Sequence, residues 1–280
     1  MICQNDFKYD KAFTHGGVFH ADDVFSAAML KIINPGIVIE RGNEVPEDYD
    51  GLVFDIGFGE FDHHQKDKRV RENGICYAAF GLLWEKFGCM LMNEEDAKAF
   101  DESFVQPIDN SDNTGEKNQL SSVIGDFNPV WGNENESFDC MFVKAVDFAK
   151  VILMRKIMHK NANNKAKEMV KKLVEKTNGK ILIMDKSAPW KEAVKNTDIE
   201  YVVFPSARGG YIVQAVPDDE DKQLLKKPFP EKWRGLETDE LRMVSGIKTL
   251  NFCHATGFLC AVGEYDDAVK TAHAALEATI

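Results

Sequence analysis

The chain has 280 residues, of which 44% are hydrophobic and 29% charged, and a formal net charge of −12 at pH 7. That length fits two domains better than one ordinary core, and the composition excludes intrinsic disorder. The acidic balance argues against wrapping long nucleic acid by bulk electrostatics, although bound cations or a local basic patch would reverse the field at a site.

No apolar run approaches bilayer length, so no membrane partner is expected. The first residues carry neither a secretory signal nor the Arg-rich character of a transit peptide, which makes the cytosol the expected location. Six cysteines, at 3, 76, 89, 140, 253 and 260, form no C-x-x-C pair. They read as reduced, mostly core residues.

In chain order, Phe13 to Leu30 reads as a strand, a Gly-Gly turn and a helix opened by Asp22 and Asp23, where the macrodipole alone already favours carboxylates. Ile37–Arg41 and Gly51–Asp55 fit buried strands, with Asp55 at a C-terminal strand end, where open α/β sheets place ligands. Cys76–Phe87 and Glu94–Val105 are helical in pattern, the second ending near Pro107 with Asp109 in the loop beyond. The Asn/Ser/Gly/Asp-rich stretch 110–136 reads as loops. Long helical patterning from Phe138 to about Thr177 is broken around Asn161–Asn164. Strands follow at Lys180–Met184, Tyr201–Phe204 and Tyr211–Val216, with Arg208-Gly209-Gly210 as a hairpin turn, then Phe252–Val262 and a terminal helix from Tyr265. The expected fold class is α/β, with an N-terminal, mostly parallel sheet flanked by helices over 1–137. A helical connection over 138–178 leads to a second, smaller α/β domain over 179–280.

Divalent cations such as Mn²⁺ and Mg²⁺ take carboxylate oxygen, Mn²⁺ also takes imidazole, and two neighbouring cations need a bridging carboxylate. His15, His20, Asp22, Asp23, Asp55, Asp62, His63, His64 and Asp109 all fall in predicted strand-end loops or first helical turns. A lone histidine is ordinarily a satisfied structural residue; it is the concentration of four within 15–64 that points to metal. Neither a G-x-S-x-G elbow nor a phosphate loop is present.

The stretches THGGVFHADDVFSAAML, VFDIG, FDHHQ and PIDNSDN resemble motifs I to IV of the DHH phosphoesterase superfamily. They are similar to its melanocyte-proliferating-gene family, also labelled metal-dependent protein hydrolases, which includes a 3′-to-5′ exoribonuclease; FPEKWRGL and FCHATGFLCAV are similar to that family's second domain. The resemblance implies that His15, His20, Asp22, Asp55, His63 and Asp109 hold two divalent metals, with Asp55 bridging. It further implies that His64 contacts a substrate phosphate and that Asp62 orients its neighbours, so that Asp55, Asp62, His63 and His64 form the catalytic group. His20 stands where the superfamily has its first motif I aspartate, which favours Mn²⁺ or another transition metal over Mg²⁺. Two such metals would activate a water for attack on phosphorus.

The second domain is then expected to recognise substrate, through Arg208 and its glycines, His254, and further candidates Lys232 and Arg234. An ordinary hairpin turn and plain surface charge are the simpler accounts of the same residues. The expected function is a metal-dependent phosphoester hydrolase, a 3′–5′ exoribonuclease or oligonucleotidase acting on RNA or short oligonucleotides. A hydrolase of small phosphoanhydrides or nucleotides, and a non-catalytic metal-binding regulatory protein, remain alternatives. The oligomeric state, a homodimer included, is left open.

Overall fold

The computed structural model describes residues 6–221 and 223–278; Cys3 lies outside them. The chain divides into two compact units, Met1–Asn161 and Ala162–Ile280. In the first, β1 (Lys11–His15) lies between β2 (Val38–Gly42) and β3 (Leu52–Val53), all three parallel. Ala12, Phe13 and Thr14 are buried, as expected of a central parallel strand covered on both faces. The helix α1 (Ala21–Ile33) buries every residue from Ala21 to Leu30. It packs against α2 (Ala79–Phe87) and two later helices, around a core that includes the fully buried Phe19, Phe25, Phe54, Phe80 and Trp84. Each such side chain contributes roughly 1.5–3 kcal/mol by leaving water.

The chain does not leave the helix at Pro107. The helix α3 (Glu94–Phe100) passes through a π-helical turn at Asp101–Val105 directly into α4 (Gln106–Thr114). The Gln106 amide donates to Asp101 O, five residues back. That wider turn spares Pro107 the usual clash with the carbonyl one turn earlier, and a proline is tolerated in a first helical turn because it needs no amide partner there. Asp109 is therefore helical, not in a loop. The stretch beyond is also more regular than its composition suggests. Gly115 ends α4 at a φ of 72°, and Asn118 caps α5 (Gln119–Gly125) by accepting from the Leu120 and Ser121 amides, both at 3.0 Å.

Likewise, α6 (Phe138–Lys176) is one unbroken helix of 39 residues. Asparagine costs less than about 1 kcal/mol per helical position, and the Asn161 side chain gains a hydrogen bond to Leu91 O at 3.3 Å.

The second unit holds a five-stranded sheet of order β4-β5-β6-β8-β7, formed by β4 (Ile181–Ile183), β5 (Tyr201–Pro205), β6 (Tyr211–Ala215), β7 (Leu250–Cys253) and β8 (Leu259–Val262). Only β4 and β5 are parallel. The stretch 252–262 is thus two strands and a turn, where Gly257 takes a φ of 71°. The helices α7 (Thr238–Ser245) and α8 (Tyr265–Glu277) complete the unit. The fold is α/β throughout, a parallel sheet flanked by helices followed by a mixed-sheet unit. No helix among the described residues is long and apolar enough to cross a membrane.

Of the cysteines, 76, 140, 253 and 260 carry free thiols, the last two buried. Cys89 is disulfide-bonded, contrary to the expectation of reduced cysteines throughout.

Candidate metal centre

Where β1 ends at His15, a turn through Gly16 and Gly17 brings the chain to His20 at the N-terminus of α1. The His20 amide donates to Asp23 Oδ1 at 3.0 Å, a capping contact that fixes the helix entry and sets Asp22 and Asp23 in its first turn. Just past β3, Asp55 takes a left-handed φ of 55° and donates its amide to Phe61 O at 3.0 Å. That contact closes the loop and delivers Asp62, His63 and His64. Asp112 arrives from α4. His15, His20, Asp55, Asp62, His63, His64 and Asp112 line one pocket of about 990 Å³, beyond the C-terminal ends of β1 and β3.

Among the described residues, three groups have donor atoms within 4.8 Å of one another: His15, Asp23 and Asp55; Asp55, His63 and His64, which shares Asp55 with the first; and His20, Asp22 and Asp112. Of the first-unit candidates, all but Asp109 belong to these groups or line the pocket, together with Asp112, which the sequence reading does not single out.

The electrostatics show what the cluster lacks. Burial, and then the carboxylates of Asp55, Asp112 and Asp23, push Asp22 well above the ordinary carboxylate range. Among the described residues no donor hydrogen-bonds to either of its oxygens, although the side chain is fully buried. Burial likewise raises Asp23, against the pull of His15. Burial would also raise Asp55, but hydrogen bonds from His15 and His63 outweigh it and hold the carboxyl below its usual value. Burial opposes charge on His15, yet Asp23 and Asp55 at 3.1 and 3.2 Å push it up to about 10. His63 is raised in the same way, burial opposing and Asp55 prevailing.

The imidazoles fit a cation. His15 Nδ1 lies 3.0 Å from Gly16 O, His63 Nδ1 3.4 Å from Asn113 Oδ1, and His64 Nδ1 2.7 Å from Asp62 Oδ1. Each of these oxygens only accepts, so each Nδ1 carries the hydrogen and a neutral ring keeps its lone pair on Nε2. Nε2 of His63 faces Asp55 at 3.2 Å, Asp112 at 3.3 Å and Asp22 at 3.6 Å. Buried carboxylates without donors, surrounding such nitrogens, leave a deficit of positive charge that divalent cations would fill.

Asp109 serves the frame instead. It is fully buried, with one oxygen accepting from the Gly81 amide at 3.0 Å near the N-terminus of α2 and the other 2.8 Å from Arg71. Arg71 also binds both oxygens of Asp101, at 2.8 and 3.1 Å, and lies 3.8 Å over the Tyr77 ring. Burial pushes Asp109 up to about 7 against the pull of Arg71. A Cβ on Gly81 would stand 1.8 Å from Asp109 Oδ2 and 2.5 Å from Arg71. Gly81→Ala should therefore break this buried pair and cost about 3 kcal/mol, seen as a Tm lower by roughly 6–12 °C. A Tm within 2 °C of wild type, taking about 2–4 °C per kcal/mol, would show that the pair is not holding the helices together.

The second-unit candidates do not converge. Arg208 sits in the exposed β5–β6 turn, its amide donating to Ser206 Oγ at 3.1 Å. His254 belongs to the β7–β8 turn, where its Nδ1 accepts from the Thr256 amide at 3.1 Å. Tyr211 pairs with Val262, and Gln214 with Leu259. The two turns therefore lie at opposite ends of the ladder, about 10 Å apart along it, and Arg208 and His254 do not share one contact surface. Arg234 does approach the His254 turn: it donates to Phe229 O at 2.8 Å, and the Phe229 amide donates to Gly257 O at 2.9 Å. Lys232 is exposed.

The fold and the donor set define an α/β protein with a carboxylate–imidazole centre of the kind that holds divalent cations. The chain belongs to the family described as MYG1_exonuc, Uncharacterised protein family (UPF0160), whose model matches residues 11–276. It is 27% identical to a protein named MYG1 exonuclease from Mus musculus, over 94% of this chain and 84% of that one. To the MYG1 protein C694.04c of Schizosaccharomyces pombe it is 28% identical, over 95% and 97%. To the MYG1 exonuclease of Homo sapiens it is 26% identical, over 94% and 85%. No solved structure matches the chain.

Proposed function

We propose that this chain is a metal-dependent phosphoester hydrolase of the DHH superfamily, acting as a 3′–5′ exonuclease on RNA or short oligonucleotides. The observation that carries the reading is Asp22, a buried carboxylate with no donor among the described residues, in a cluster with Asp23, Asp55, Asp112 and four imidazoles. Relatives named exonucleases support nucleic acid as the substrate. We assign His15, Asp23, Asp55 and His63 to one divalent cation and His20, Asp22 and Asp112 to a second, with Mn²⁺ the first choice because imidazole contributes to both. When bound, the cations would lower the pKa of a water and offset charge on the leaving oxygen.

The chain's own groups do the rest. Asp62 accepts the Nδ1 hydrogen of His64, which orients the ring so that, when Nε2 is protonated as well, its N–H donates to a phosphate oxygen. Lys68, 3.0 Å from Asn113 at the pocket edge, adds positive charge there. Within the second unit, the His254 turn with Arg234, and Arg208 separately, are the candidates for contacts to substrate.

A second reading, hydrolysis of small phosphoanhydrides or nucleotides, is favoured by the net charge of −12, which repels long polyanions. Assaying the full chain with short RNA, short DNA, a dinucleotide and pyrophosphate, in Mn²⁺ and in EDTA, separates them. The expected result is RNA shortened stepwise from its 3′ end, only with metal. Turnover of pyrophosphate alone would install the second reading, and metal binding without turnover would leave a regulatory protein.

A further inference from the structure

The loop joining Asp55 to His63 presents an aromatic side chain that the metal centre does not use. Phe58 is 73% exposed and lines the same pocket as Asp55 and His64. Among the described residues no other ring packs against it. Its φ of 56° is left-handed, a conformation that a bulky residue adopts only when its surroundings enforce it. What enforces it is Asp62. The Phe58 amide donates to Asp62 Oδ2 at 2.7 Å, while Oδ1 of the same buried carboxylate accepts from the His64 amide at 3.1 Å and from His64 Nδ1 at 2.7 Å. A single carboxylate thus ties the backbone that carries an exposed aromatic side chain to the histidine assigned to phosphate.

A ring left in water, in the same pocket lining as a phosphate-binding group and on a backbone tied to it, suits a ligand in which a planar apolar ring is joined to a phosphate by a short linker, as in a nucleotide. We propose that Phe58 is the stacking platform for the nucleobase adjoining the scissile phosphate. The platform takes the plane of the base rather than its edge, so it tolerates any base. It also requires that base to be free of its helical neighbours, so the site selects single strands over duplexes. This inference deepens the phosphoester-hydrolase reading and rests on it.

The test compares Phe58→Ala, Phe58→Leu and Phe58→Trp in the full chain, with a dinucleotide and its analogue lacking both bases as substrates in Mn²⁺. Binding is read separately, from fluorescence of dinucleotides carrying 2-aminopurine on either side of the phosphate, with Ca²⁺ in place of Mn²⁺. Phe58→Ala and Phe58→Leu should reduce the kcat/KM preference for the dinucleotide over its base-free analogue roughly 10- to 100-fold. They should also abolish the 2-aminopurine quenching seen with wild type, and Phe58→Trp should keep both. Dinucleotide hydrolysis with the preference intact in Phe58→Ala overturns the platform and leaves the hydrolase reading standing. Quenching that depends on Phe58 in a protein without turnover supports the platform and sinks the hydrolase reading. Absence of quenching in wild type overturns the platform whatever the turnover.

Discussion

Asp55→Asn is expected to lower kcat/KM on any phosphoester substrate by at least roughly a thousand-fold, the several kcal/mol that charge stabilisation by bound metal supplies, while the metal-free protein stays folded. Asp55 shares its oxygens among His15 at 3.2 Å, His63 at 3.2 Å and His64 at 3.7 Å, and belongs to two of the three donor groups. A neutral amide in its place removes the charge common to both. The fold tolerates the change because the losses and gains offset each other. His15 keeps Asp23 at 3.1 Å and His63 keeps Asp112 at 3.3 Å, while Asp22 and Asp23, both raised by the neighbouring Asp55 charge, are relieved of it. The net change in stability should be within about 1 kcal/mol, or roughly 2–4 °C in Tm. The pH dependence follows from the same contacts. Asp55 is held below its ordinary value, so its carboxylate stabilises the metal-free fold above that value and ceases to as pH falls through the acid range. The asparagine variant should therefore lose less stability on acidification. His159→Ala is the control, since His159 is exposed on α6, 3.0 Å from Arg155 and outside the pocket. Turnover by Asp55→Asn comparable to wild type would defeat the mechanism.

The parts of this centre that could be read from the sequence are those whose chemistry is unusual for their position. Two histidines and two aspartates around a strand-to-helix turn, and a His-His pair just past another strand, are poor choices for a core and good ones for a cation. The sheet that carries them was legible for the same reason: parallel strands read as short apolar runs bounded by turn residues. The centre's fourth segment was not legible, because proline at 107 signals a helix end by local rules and a π-helical turn evades those rules at a cost the sequence does not display. With the helix ended too early, the two aspartates of PIDNSDN have no defined faces, and local sequence does not separate the inward-facing Asp109, which the resemblance points to, from the pocket-lining Asp112. Their i, i+3 spacing, closed by Gly115 at the helix end, was the available signal. Phe58 left no signal at all, since its exposure and left-handed backbone come from a contact with Asp62 four residues away. The Arg208-Gly209-Gly210 turn of the second unit was legible, the turn inside 252–262 was not, and their opposite placement depends on strand pairing, which local sequence does not encode.

Asp109 and Asp112 lie one helical turn apart, and exchanging each for asparagine should give opposite phenotypes. Asp112 is partly exposed to the pocket, 3.3 Å from His63 Nε2, and its charge helps raise Asp22. Asp112→Asn should weaken Mn²⁺ binding and lower kcat/KM by at least about a hundred-fold, while the metal-free Tm stays level or rises because a repulsion at Asp22 is gone. Asp109→Asn should do the reverse. Its amide no longer neutralises the buried Arg71, which retains Asp101 alone, and the cap on α2 weakens, so the fold should lose about 3 kcal/mol. Mn²⁺ affinity, measured well below the transition, should stay within a few-fold of wild type. The contrast is drawn by calorimetric metal titration and thermal unfolding in EDTA on the two variants side by side. If Asp109→Asn abolished Mn²⁺ binding with its metal-free Tm unchanged, and Asp112→Asn bound normally, the cation would have to sit on the Arg71 side of α4, and the centre described here would be misplaced.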